Sequence, residues 1–134
     1  MKATIFFNER NNETGEHEGF ALMATVECGD RTWDDALEYV YHRMQNIEGS
    51  WSGSKFIGNE LNSDYSEDVT VLKPLRTFKD LRTLKDTDFE IGHRSMSIGD
   101  RVIFNGEWYE CELFGFKQIS NAHDDVYIAP VEVA

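Results

Sequence analysis

The chain has 134 residues, 40% of them apolar and 13% aromatic, and carries a formal net charge of −12 from 25 Asp and Glu against 13 Lys and Arg. That composition excludes a disordered chain, and the length suits one domain, 1–134, with its own core. The acid also argues against direct binding to nucleic acid or an anionic membrane, since such contacts rest on Lys and Arg neutralising phosphate.

Lys2 to Phe7 predicts a strand whose run Ile5-Phe6-Phe7 suggests burial on both faces. The same opening is too short in apolar residues for a signal peptide, and no later stretch reaches the length of a membrane span, so the expected compartment is the cytoplasm. Asn8 to Gly19 is a polar loop rich in acid, and Phe20 to Cys28 predicts a second strand, with helix as its competitor over Ala21 to Ala24. Thr32 can cap a helix over about 33–48, with Asp35 three residues on, Asp34 and Glu38 near the positive helix end, and Gly49 as the stop. Trp33, Leu37, Val40, Met44 and Ile47, flanked by Ala36 and Tyr41, form an apolar stripe at helical spacing, which predicts core packing.

Ser50 to Glu67 is irregular, but Trp51, Phe56, Ile57 and Leu61 predict a loop laid over the core, followed by a short strand from Val69 to Leu72. Lys73, Arg76, Lys79, Arg82 and Lys85 then fall every third residue inside a near-repeat, Arg-Thr-Phe-Lys-Asp and Arg-Thr-Leu-Lys-Asp. A three-residue step spreads over half of an α-helical surface, so the expectation is short helical turns near 75–86, capped by Thr77 or Thr83. These cations either neutralise neighbouring acids or, with Arg94, contact an anion.

Ser95, Ser97, Gly99 and Asp100 read as a turn, since Ser and Asp oxygens accept from local backbone and glycine permits unusual φ. Asn105-Gly106 between the runs Arg101 to Phe104 and Glu107 to Tyr109 predicts a C-terminal β-hairpin on a type I′ turn. A last strand is expected from Val126 to Val133, interrupted by Pro130. The predicted fold class is α+β: a small, mostly antiparallel sheet with one main amphipathic helix.

Chemistry is sparse. His17, His42, His93 and His123 lack any two-ligand metal spacing, and Cys28 and Cys111 are far apart, so they predict buried thiols and no metal or cofactor. His93 with two Ser and Asp100 invites a triad reading, but triad geometry comes from separate segments and the turn explains the same residues. Gly49 to Lys55 lacks the spacing of a phosphate loop, and no carboxylate pair matches a calcium loop, so no catalytic residue is assigned. Residues 1–67 carry 13 acids against 5 bases (net −8) and residues 68–134 carry 12 against 8 (net −4), so acid concentrates in the first half. Glu13, Glu16, Glu18, Asp34, Asp35 and Glu38 are the candidate acidic contact face.

His93 to Asp100, with Val102, Asn105-Gly106, Tyr109 and Phe114-Gly115-Phe116, resembles the closing segment of small uncharacterised bacteriophage and mobile-element proteins, and is similar to the YodL-like domain. The stretch Ala36 to Val40, through Asn46-Ile47 to Ser50-Trp51, resembles the helix of such proteins; the long acidic N-terminal half departs from the pattern. The resemblance implies a small α+β fold and a phage origin, which places the chain in the host cytoplasm, and it carries over no catalytic residue. The functional expectation is therefore a non-enzymatic accessory protein that binds a host or phage protein, in its concrete form an acidic DNA mimic inhibiting a host nuclease or defence complex. Two alternatives stand beside it: a small enzyme or anion-binding protein using His93, Arg94 and the 73–85 cations, and a virion-associated structural protein.

Overall fold

Alternation along the first strand sets the architecture. In β1 (Lys2–Arg10) Ala3, Ile5 and Phe7 are buried, whereas Thr4, Phe6 and Asn8 between them are only partly covered, so one face meets the main core. The computed structural model describes residues 1–11, 13–80, 85–120, 125, 127 and 128 of the chain. β1 pairs antiparallel with β2 (His17–Glu27), and an extra residue in β2 bulges the ladder between Phe6 and Ile5. On the buried face lies α1 (Trp33–Arg43), whose Ala36, Leu37 and Val40 join Ile5, Phe7 and Met23 in the core.

The connection after α1 holds two two-residue strands, β3 (Phe56–Ile57) and β4 (Glu60–Leu61), and buries Trp51. β5 (Val69–Val71) then returns to the outer edge of β2. A separate hairpin of β6 (Arg76–Asp80) and β7 (Lys85–Ile91) follows. β8 (Arg101–Phe104), β9 (Glu107–Cys111) and β10 (Phe116–Ile119) extend the main sheet on the other side of β1, and β11 (Tyr127–Ile128) adds a parallel pairing to β2. The strand order is β10-β9-β8-β1-β2-β11, with β5 also on β2. The described residues thus form a small α+β fold with one helix and a mostly antiparallel sheet. Asn105 and Gly106, with φ of 52° and 78°, link β8 to β9.

Four expectations need correction. The helix ends at Arg43, not 48, because the next amides are taken by side chains: Asn46 N–H donates to Ser95 Oγ at 2.8 Å, and the Ile47, Glu48 and Gly49 amides all donate to Asp64 Oδ2. Thr32 stands at the N-cap without capping, its hydroxyl lying 3.4 Å from Asp35 Oδ2, and Trp33, Tyr41 and Ile47 leave the stripe for solvent. The helical turns near 75–86 are strands in the residues described there. The backbone register sets Lys79 opposite Asp86 and Asp80 opposite Lys85. Arg82, Thr83 and the expected strand beyond Ile128 lie outside the described residues.

One buried ion pair fastens the segment that leads into β8. Asp100 has no exposed surface, and Arg94 grips both its oxygens, with Nη1 to Oδ2 at 2.7 Å and Nη2 to Oδ1 at 2.8 Å. The remaining lone pairs accept the Asn8 amide at 2.8 Å and the Ser97 amide at 2.8 Å, so the carboxylate ties its own turn to β1. The Arg94 guanidinium lies 4.2 Å over the Phe7 ring. Burial opposes its charge, but the hydrogen bonds and charge of Asp100 outweigh burial and hold Arg94 above its ordinary pKa. Removing Arg94 leaves a buried carboxylate without its counter-charge, so Arg94→Ala is expected to cost about 3 kcal/mol in urea unfolding, and Arg94→Lys to recover only part because it lacks the two-pronged grip.

Candidate functional site

The six acids singled out in sequence divide between two places. Glu13 and Glu16 lie on the turn after β1 and Glu18 near the start of β2, all exposed, while Asp34, Asp35 and Glu38 lie exposed on α1. Beside each group is a concavity.

The larger concavity, about 920 Å³, runs between the β1–β2 ribbon, Lys73 and the Gly92 to Ile98 stretch, with Phe7 and Met23 at its base. Its position comes from the bulge in β2, where the Met23 carbonyl accepts the Leu72 amide at 2.8 Å and the Lys73 amide at 3.2 Å. Here the sequence-predicted cations come together only in part: Lys73, His93 and Arg94 line the space, whereas Arg76, Lys79 and Lys85 belong to β6 and β7. The first three already have partners. Lys73 Nζ is 3.0 Å from Glu9, Arg94 holds Asp100, and His93 Nε2 is 2.8 Å from the Lys73 carbonyl. The lining charges also balance, Arg10, Lys73 and Arg94 against Glu9, Glu13 and Glu18. An incoming anion would compete with acids already in place, which weighs against the anion-contact reading of this space. Asp100 likewise spends both oxygens on Arg94 and on backbone, and Ser97 Oγ lies 3.2 Å from Arg94 Nη1, so these groups build the turn.

The second concavity, about 420 Å³, lies between α1 and the turn joining β9 to β10. One wall is Trp33, Leu37 and Tyr41, which share a side of α1 because they recur at steps of four. Its floor is Cys111 and Phe116, which face each other across β9 and β10. Trp33 stacks on Tyr109 with centroids 6.2 Å apart and planes at 6°. The turn Glu112 to Gly115 closes through the Glu112 amide donating to the Gly115 carbonyl at 2.8 Å, and Gly115 supplies a φ of 79°. This turn leaves two large apolar side chains in solvent, Leu113 at 72% exposed and Phe114 at 90%; Leu113 lines the concavity with Trp33, itself 56% exposed, and Phe114 is the next residue along the turn. The rim is acidic, from Asp34 and Glu38 one helical turn apart and Glu112 on the turn.

Sequence reasoning found Asp34 and Glu38 but missed the apolar half of this site. A readable signal was there: Leu113-Phe114 occupies a turn, where polar residues are the rule. Trp33 and Tyr41 were misassigned to the core because helical spacing cannot tell a wide buried stripe from a narrow one flanked by exposed aromatics.

Among the described residues no group of three or more His, Cys, Asp or Glu side chains is placed to hold a metal ion, and no helix is long and apolar enough to cross a membrane. No protein-family model, curated protein or solved structure matches the chain.

Both cysteines are buried thiols, and Cys111 reports on the groove it underlies. Burial, reinforced by Asp100, Glu112 and Glu110, raises its pKa from 9.0 to about 11, and burial also raises that of Cys28. A raised value keeps each thiol protonated until pH climbs toward the folded pKa. At about pH 8 the Cys111 thiol of the native chain is therefore expected to react with a thiol reagent roughly a hundredfold more slowly than in the urea-unfolded chain, read by peptide mapping of the label; equal rates at Cys111 would contradict this burial.

Proposed function

We propose that the chain is a non-enzymatic accessory protein, of the phage or mobile-element kind its C-terminal motif resembles, and that it acts by binding another protein through the groove between α1 and the β9–β10 turn. The observation that carries this reading is Phe114, 90% exposed at the tip of a turn next to Leu113 and an aromatic groove. Neither side chain belongs to the buried core. Large apolar and aromatic groups clustered on a surface and ringed by charge are the usual anchors of a protein interface.

Asp34, Glu38 and Glu112 supply the charged ring, and the net −12 of the chain surrounds it with a long-range negative field. A partner segment that presents bulky apolar residues together with Lys or Arg fits both features. The field speeds its approach, while the apolar contacts hold it. The acidic face is thus the rim of a groove, a narrower idea than imitation of the DNA backbone, which would need no aromatic anchor. Glu13, Glu16 and Glu18 add to the field from elsewhere on the surface.

Two surface variants test the reading against the same bacterial lysate. Leu113→Ala with Phe114→Ala removes the anchors, and Asp34→Asn with Glu38→Gln and Glu112→Gln removes the ring. A protein held by the wild-type chain is expected to be lost from the anchor variant by roughly thirtyfold or more, the weight of a hot spot of about 2 kcal/mol. The ring variant is expected to bind more weakly and with a shallower dependence on salt. Retention unaffected by either variant would overturn the assignment of this groove.

A further inference from the structure

Resting on the groove reading, we infer that the partner segment enters as an extended strand that pairs with the outer edge of β10, sending alternate side chains under α1. Among the described residues β10 pairs only with β9, so the sheet ends there. Which groups face outward follows from the hydrogen-bond alternation. Cys111 exchanges hydrogen bonds on the β8 side, its amide donating to the Asp100 carbonyl and its carbonyl accepting the Gly99 amide. Glu110 and Glu112 therefore face β10, as the bond from the Glu112 amide to the Gly115 carbonyl shows directly. Lys117 sits opposite Glu110 and Ile119 opposite Trp108, which makes them the residues bonded to β9. The backbone groups of Phe116 and Gln118 then point outward, and among the described residues they meet no backbone partner.

The groove lies where that pairing would place side chains. Phe116 is both a groove residue and the first residue of β10, so the groove floor runs to the sheet edge. A strand added about 4.8 Å beyond β10 continues that floor, and every second side chain rises toward Leu37 and Tyr41. Main-chain bonds to Phe116 and Gln118 would supply affinity, and the groove would select bulky apolar residues at alternate positions. Lys or Arg in the segment would meet Asp34, Glu38 and Glu112. A second copy of this chain is a poor occupant, because it would bring the same acids against that rim. A helix could fill the groove too, but it would leave the edge groups of β10 unused.

Two synthetic peptides of about ten residues and identical Leu and Lys composition separate these modes, one alternating strictly and one with Leu at helical spacing. The alternating peptide is expected to bind the full chain more tightly, and on binding to slow hydrogen exchange of the Phe116 and Gln118 amides in NMR spectra. Gln118→Pro removes an outward amide and no β9 bond, a substitution that sheet edges accept, so it is expected to fold and to weaken binding roughly tenfold or more. Tighter binding of the helical peptide, or the alternating peptide bound without protection at Phe116 and Gln118, would overturn strand addition while leaving the groove in place. Failure of both peptides to bind would overturn the groove reading itself. The exchange measurement on the wild-type chain decides the matter even if Gln118→Pro does not fold.

Discussion

The grip of Arg94 on Asp100 is the interaction on which the groove between α1 and the β9–β10 turn depends. A buried carboxylate is costly unless every lone pair is used, and Asp100 uses its own on one guanidinium and two amides from different parts of the chain. That arrangement anchors the 94–100 turn to β1 and delivers the chain into β8. From β8 the direction of the next elements follows by local rules: a two-residue turn at Asn105-Gly106, β9, a second turn at Leu113-Phe114, and β10. The groove is made where that meander passes beneath α1.

The same knot fixes the other wall. Met96 is buried, its amide donates to the Met44 carbonyl at the end of α1, and its carbonyl accepts from Gln45. Asn46 joins the set by donating to the His93 carbonyl and accepting the Trp51 amide. The motif from His93 to Asp100 thus holds helix and meander in one frame, and its polar groups are spent on doing so. Its chemistry is architectural, which is why residues that suggest a triad in sequence do not form one. The exposed chemistry lies at the far end of the meander.

What could be read from the sequence was what is decided locally. Ala36, Leu37 and Val40 recur at helical spacing and mark the helix, and the apolar run Ile5-Phe6-Phe7 marks the first strand, though its burial alternates, with Phe6 only partly covered, where burial on both faces was expected. What could not be read was decided by distant partners. The helix stops early because Asp64 and Ser95, far along the chain, take the amides that another helical turn would have used. The charge period of three in Lys73 to Lys85 suggested helical turns, yet pairing between Arg76–Asp80 and Lys85–Ile91 prevails. Of the candidate site, Asp34 and Glu38 were visible as acids, but Leu113 and Phe116, which line the same groove, come from more than seventy residues later in the chain.

The central claim is that contact with a partner protein concentrates on α1 and the β9–β10 turn, with the acidic β1–β2 ribbon contributing only field. A map of amide hydrogen exchange along the whole chain, alone and with a captured partner, tests it most directly. The account predicts slowed exchange over Trp33 to Tyr41 and Glu112 to Gln118, with Glu13 to Glu18 unchanged. Slowed exchange at Glu13 to Glu18 and His93, with none at Glu112 to Gln118, would contradict it.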